Sequence, residues 1–242
     1  MYPQSLENVP VWDDRTWRIL APLDSDLSTE VCVIGLGGSG LTAISELLDL
    51  GRRVVGIDAD DVAAGAAGRN GGFLLAGIAD FHHDAVAAIG RARALRLHEL
   101  TLEEIHRIAG QAPGTVRFPG SLRIAGSDEE FTDCARQRDA MRADGIPVEP
   151  TAFVQQYLES VLREQLDVTA PITHRWAANV SYTLNGLPVL AELRPGTWVI
   201  GGYCGTGNAV GALCGRAAAR LASGDSSEFA RLLVNAGTPE TH

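Results

Sequence analysis

Apolar positions change their spacing several times along this chain of 242 residues, and each change predicts an element. Residues 31–34 (VCVI) form an unbroken apolar run, read as a buried strand in which Cys32 is a buried thiol. From residue 39 to residue 50 the apolar positions Ile44, Leu47 and Leu48 fall on one helical face, and Gly51 ends the helix. Residues 54–58 (VVGID) are short and apolar up to Asp58, a second strand. Strand, helix and strand in such close succession make a βαβ unit, whose strands should run parallel.

Periodicity carries the reading further. Residues 61–77 form a Gly/Ala-rich loop. Helical spacing over residues 84–109 (Val86, Ile89, Leu97, Leu100, Ile105, Ile108) predicts one or two helices. Residues 116–118 and 122–124 flank Pro119 and Gly120 and predict a hairpin. Ser127 and Glu130 fit a capping box for a helix to about residue 143. A further helix is expected over roughly 151–166. Residues 198–202 read as a strand that enters a glycine loop, followed by a small-residue helix from about 208 to 223, stopped by Gly224. Residues 1–27, broken by Pro3, Pro10 and Pro22, read as an arm that Trp12 and Trp17 tack onto a surface.

Composition narrows the function classes. Apolar residues make up 45% of the chain, enough for a globular core. The net charge is −10 with no Lys/Arg cluster, which argues against nucleic acid as a partner. No apolar run approaches the roughly 20 residues that span a bilayer, and no secretory leader pattern opens the chain. The four cysteines form no C-x-x-C pair, so a metal site or disulfide framework is not expected; with the missing leader this points to the cytoplasm. His82 and His83 point apart and lack a matched third ligand, so a loop or N-cap explains them better than a metal. The mixed charges of residues 92–107 read as a solvated helix face. No G-x-S-x-G elbow supports Ser-His-Asp chemistry.

The sharpest signal is GLGGSG at the first strand's end. Gly35, Gly37 and Gly40 fit G-x-G-x-x-G: one glycine for the turn, one for close approach of a pyrophosphate, one for helix–strand packing. The helix N-terminus presents free amides, including those of Gly38 and Ser39, to the phosphates. Asp58, followed by Ala59, closes the second strand at the place expected of a ribose-binding acid. The fingerprint by itself leaves NAD and FAD open.

The stretch GAAGRNGG (residues 65–72), taken with the first motif, resembles the D-amino-acid oxidase-like family of FAD-dependent oxidoreductases, and within it the amine-oxidising branch typified by gamma-glutamylputrescine oxidoreductase. HRWAANVSYTLNGLPVL (174–190) and GGYCGTGNAVGALCGRAAARL (201–221) resemble that family's terminal segments in the same order. The resemblance implies a Rossmann-like α/β core that holds FAD. Ala67, Gly68, Arg69, Asn70, Gly71 and Gly72 would line the pyrophosphate and the inner flavin edge. Gly205, Thr206, Gly207 and Asn208 would sit below the pyrimidine side of the flavin. Tyr182 and His174 would face a substrate, and no catalytic residue is assigned. Three departures stand out: Ala67 and Cys204 where Ser is usual, and Asn185 where Asp is usual. No Arg occurs from 177 to 193 to grip an α-carboxylate, so an amine, or a substrate with a remote acid, is favoured.

The resemblance also implies a division of the chain. Residues 28–80 and 172–225 would form a discontinuous FAD-binding domain, residues 81–171 a helical and hairpin remnant of the substrate (cap) region, and 226–242 a tail. The family's central sheet is missing at a joint near residues 150–156, leaving the cap region incomplete and faces open to another chain, such as a second copy. Three readings follow: an FAD-dependent oxidoreductase acting on an amine or amino acid; a truncated, catalytically inactive relative that keeps the nucleotide-binding core; and an NAD(P) dehydrogenase, against which GAAGRNGG argues.

Overall fold

Val31–Ile34 (β1) and Val54–Ile57 (β2) pair in parallel, Val31 opposite Val54 and Ile34 opposite Ile57, and Gly38–Asp49 (α1) makes the crossover. The βαβ unit expected from the sequence is therefore present in this computed structural model, which describes residues 9–13, 20–118, 127–148 and 180–234. β1 is not the buried strand expected. Val31, Val33 and Val54 pack on Ala43 and Leu47 of α1, with Ala219 behind them. Cys32 and Ile34, on the alternate positions, face the other way and are exposed, Ile34 by 82%. Side chains of a strand alternate between faces, and among the described residues the packing falls on one face only. Leu48 corrects the helix in the same way: Leu47 is buried, while its neighbour lies about 100° further round the helix and is exposed. Gly51 ends α1 as expected. Its φ of +71° lets its amide reach Leu48 O while the Arg52 amide reaches Leu47 O, the paired closure that releases a helix from its last carbonyls.

The chain divides into two compact units. One comprises 1–16 with 123–177, the other 17–122 with 178–242. In the first, Asp128–Ala143 (α5) begins on Ser127, whose hydroxyl accepts from the Glu130 amide at 3.2 Å. The capping box is thus present in its forward bond. Residues 119–126, 149–179 and 235–242 lie outside the description, and with them most of the expected hairpin, the 151–166 helix, the joint near 150–156 and His174. Residues 116–118, expected as the hairpin's first strand, carry no strand; Phe118 instead stacks on His106 with ring centres 5.1 Å apart.

In the second unit, Ala66–Arg69 (α2) is a single turn within the Gly/Ala-rich loop. The helical spacing of 84–109 resolves into two helices, His82–Ile89 (α3) and Arg91–Gln111 (α4), because Gly90 between them takes φ +84°. His82 opens α3, packed edge-on to His98. Val189–Arg194 (β3) and Thr197–Gly201 (β4) form an antiparallel hairpin. Only β4 is expected from the sequence: LAEL in β3 is good helix-forming material, and the Pro195-Gly196 turn with its partner strand decides otherwise. Ala209–Ala222 (α6) follows, nearly all buried, and then Glu228–Val234 (α7), a helix that the tail reading does not contain. Leu97 and Leu100 of α4, Val210, Leu213, Cys214 and Ala217 of α6, and Phe229 and Ala230 of α7 make the main core.

One face of α4 departs from expectation. Glu104 is not solvated; it is 2% exposed and buried against Arg216. Arg216 Nε bonds both Glu104 oxygens at 3.0 and 2.9 Å, and its Nη1 bonds Glu46 Oε2 at 3.0 Å. A single guanidinium therefore ties α6 to α4 and α1. Burial opposes its charge, yet the two carboxylates outweigh that and hold its pKa above the usual value. At the surface Arg96 does similar work, bonding Glu99, Glu103 and, from α7, Glu228.

Candidate functional site

Three glycine-rich stretches converge at the N-terminus of α1. The first supplies the cradle. Gly35 has φ +96°, a conformation that turns the chain out of β1. A methyl group at Gly40 would fall on the Gly35 carbonyl oxygen, so only glycine lets the helix start this close to the strand. Gly37 is the N-cap with no side-chain cap, and α1 has no acidic residue in its first turn. The amides of its first turn are therefore left to be satisfied from outside. A methyl at Gly38 would meet nothing within 4 Å. Uncapped amides, open space and no acidic residue within the first turn of α1 fit the diphosphate of a dinucleotide.

Asp58 sits at the end of β2 as expected, and its carboxylate has a further task. Oδ2 accepts from the Leu36 amide at 2.6 Å, inside the glycine turn, and Oδ1 accepts from the Ala59 and Asp60 amides at 2.7 and 3.3 Å. The Leu36 amide above all holds the Asp58 carboxyl below its ordinary value. Asp58 thus fixes the turn that it borders.

The second stretch lies against the first. The Ala63 amide donates to Leu36 O at 3.1 Å, and a methyl on Gly37 would stand 3.7 Å from the Ala67 methyl. Gly68 is another close approach, since a Cβ there would come within 2.5 Å of Ala63 O. Arg69 Nε donates to Ala64 O at 2.7 Å, which points this part of the guanidinium back into its own loop. Asn70 Oδ1 accepts from the Gly72 amide at 2.7 Å, and Gly71 packs beside the Phe73 ring.

The third stretch joins both. Asn70 and Asn208 exchange side-chain hydrogen bonds at 3.2 and 3.1 Å, and Asn208 also donates to Phe73 O at 2.8 Å. Ser39 Oγ, in the first turn of α1, donates to Tyr203 Oη at 2.6 Å. The Tyr203 ring lies 3.4 Å from where methyls on Gly207 and Gly211 would stand. Around the Tyr203 bridge the chain turns through Gly202, Cys204 and Gly205, all at positive φ. Cys204, in place of the usual Ser, is buried and accepts from the Thr183 amide at 3.3 Å. Thr206 Oγ1 is turned back onto Tyr203 O at 2.7 Å. Asn185 folds on itself, accepting from the Leu187 amide at 3.2 Å, and Tyr182 is exposed with its hydroxyl 3.9 Å from where a methyl on Gly205 would stand.

Of the residues singled out in the three motifs, Gly37 and Ala67 meet at the N-cap of α1, Ser39 reaches the third stretch, and Asn70 and Asn208 join the second to the third. Tyr203, Gly211 and Gly215 are not among them, although they hold the arrangement together. A methyl at Gly215 would fall on Ser39 O, so α6 lies hard against α1. The signal was available: Gly207, Gly211 and Gly215 recur every fourth residue, one stripe of a helix.

Comparison with known proteins supplies a family. Residues 30–154 match the family model DAO, FAD dependent oxidoreductase. A probable oxidoreductase OrdL of Rhizobium meliloti (strain 1021) is 35% identical over 92 residues, 38% of this chain and 21% of that protein. A protein of the same name from Haemophilus influenzae is 34% identical over 84 residues, 35% of this chain and 20% of its own. A phytoene dehydrogenase of Streptomyces griseus is 38% identical over 161 residues, 61% of this chain and 31% of that protein. The chain thus spans between a fifth and a third of the length of these curated relatives. No solved structure matches it significantly.

Proposed function

Since the chain belongs to the DAO family of FAD-dependent oxidoreductases, we propose that it binds FAD across the three glycine stretches and oxidises the C–N bond of an amine or amino acid. Bound FAD supplies a hydride acceptor for a C–H next to nitrogen. The chain supplies position and field. The uncapped first turn of α1, with Gly35, Gly37, Gly38, Ser39 and Gly40, receives the diphosphate. Asp58 accepts from the ribose hydroxyls, with Ala59 alongside, and steadies the turn. Ala67 to Gly72 line the inner edge of the cofactor. Gly205 to Asn208, at the start of α6, direct the positive end of that helix toward the side where reduction places negative charge. The reading keeps the division of residues 28–80 with 172–225 as the nucleotide-binding part and 81–171 as a cap remnant.

The observation that carries the proposal is the joining of three sequence-distant motifs by the Ser39–Tyr203 and Asn70–Asn208 bridges. The absorption spectrum of the purified protein tests it. A yellow protein whose flavin bleaches on adding an amine or amino acid supports it; a colourless protein that gives no fluorescence change on FAD titration refutes it. A second reading, a relative that holds FAD without turnover, is favoured by the exposed β1 face among the described residues. Retained flavin with no bleaching across amine and amino-acid panels would select it. No helix among the described residues is long and apolar enough to cross a membrane.

A further inference from the structure

Tyr203 lies within the third glycine stretch and reaches across to the first. Its hydroxyl receives the Ser39 hydroxyl at 2.6 Å across 164 residues of sequence. Its ring rests on the glycine stripe of α6, 3.4 Å from where methyls at Gly207 and Gly211 would stand. Its carbonyl accepts from the Thr206 amide at 2.9 Å and from Thr206 Oγ1 at 2.7 Å. One residue therefore holds the 205–208 turn through its backbone and the first turn of α1 through its side chain. Burial pushes the phenol up to about 12, so near neutral pH it bonds as an uncharged hydroxyl.

We propose that Tyr203 is a positioning residue that fixes the distance between the diphosphate-binding end of α1 and the 205–208 turn, so that both halves of one FAD are received without rearrangement. The inference rests on the FAD reading and deepens it. Ser39 is held by its hydroxyl and cannot turn independently of the loop. A ligand that engages both places gains from having them pre-set, whereas a ligand that engages only the α1 end does not. FAD and ADP therefore separate the two effects, because ADP carries the adenosine and diphosphate alone.

The experiment titrates FAD and ADP into the intact wild-type chain and the Tyr203→Phe, Ser39→Ala and double variants, following flavin fluorescence and calorimetry. Loss of one neutral hydrogen bond predicts about a fivefold to tenfold weaker FAD affinity in Tyr203→Phe, with ADP affinity changed by less than about twofold. Because the two hydroxyls share one bond, the double variant should bind FAD no more than about twofold worse than Ser39→Ala. Equal losses for FAD and ADP would show a merely structural tyrosine, and additive losses in the double variant would show two independent residues; either overturns the proposal. A wild-type chain that takes up neither ligand overturns the FAD reading together with it. FAD binding in the wild type with an unaltered Tyr203→Phe overturns the positioning role alone.

Discussion

Replacing Arg216 by alanine removes the cation that two buried carboxylates share. Glu104 and Glu46 are 2% and 5% exposed, so neither can turn to bulk water without moving a helix. Breaking such a buried arrangement by removing one partner costs roughly 3–5 kcal/mol. Two secondary contacts soften the loss. Arg107 Nε stands 3.4 Å from Glu104, and Arg220 Nε stands 2.8 Å from Glu46, but their side chains are 56% and 47% exposed and their charges are screened. The expected cost is therefore near the lower bound, about 3 kcal/mol. For a unit of this size that is a fall in Tm of roughly 6–12 °C, read by circular dichroism and checked by the urea midpoint. Replacing all three charges together (Glu46→Leu, Glu104→Leu, Arg216→Met) should fall far less, or gain stability, because no buried charge is left unpaired and Arg107 and Arg220, which lose these partners, are about half exposed to water. A drop below about 1 kcal/mol for Arg216→Ala, or a triple variant as unstable as the single one, would show that the cluster is not what joins α1, α4 and α6.

Gly37→Val should keep the fold, since Gly37 has φ −76° and a Cβ there meets Ala67 only at ordinary contact, yet it should abolish FAD binding by crowding the α1 amides; a folded variant with unchanged affinity by titration would remove the diphosphate assignment. Gly40→Ala should instead lower Tm sharply, because its methyl would land on Gly35 O; a melt like the wild type's would contradict the close approach. Acid should loosen the glycine turn through Asp58. Its folded pKa lies below its unfolded value, so its contribution is complete above about pH 4 and is lost as the pH falls through the depressed folded value. Hydrogen exchange at the Leu36 amide, corrected for its intrinsic rate, should stay protected from pH 6 to pH 4 and open below that. Loss of protection already at pH 5, or the same profile in Asp58→Asn, would contradict the linkage.

Residue order alone determined the βαβ unit, because an apolar run, a helical face and a glycine stop are local facts that each residue type enforces. It likewise determined the three glycine motifs and the acid at the end of β2, since close backbone approach has no other residue to use than glycine. Tertiary structure decided the rest. Which face of β1 is covered depends on where α1 and α6 lie, and Cys32 and Ile34 fall on the face they leave open. Glu104 reads as a surface charge until Arg216, 112 residues away, is folded against it. The double duty of Asp58 and the bridges from Ser39 to Tyr203 and from Asn70 to Asn208 belong to the same class. Hydrogen bonds between distant side chains leave no period in a sequence; they exist only once packing has brought their ends within about 3 Å.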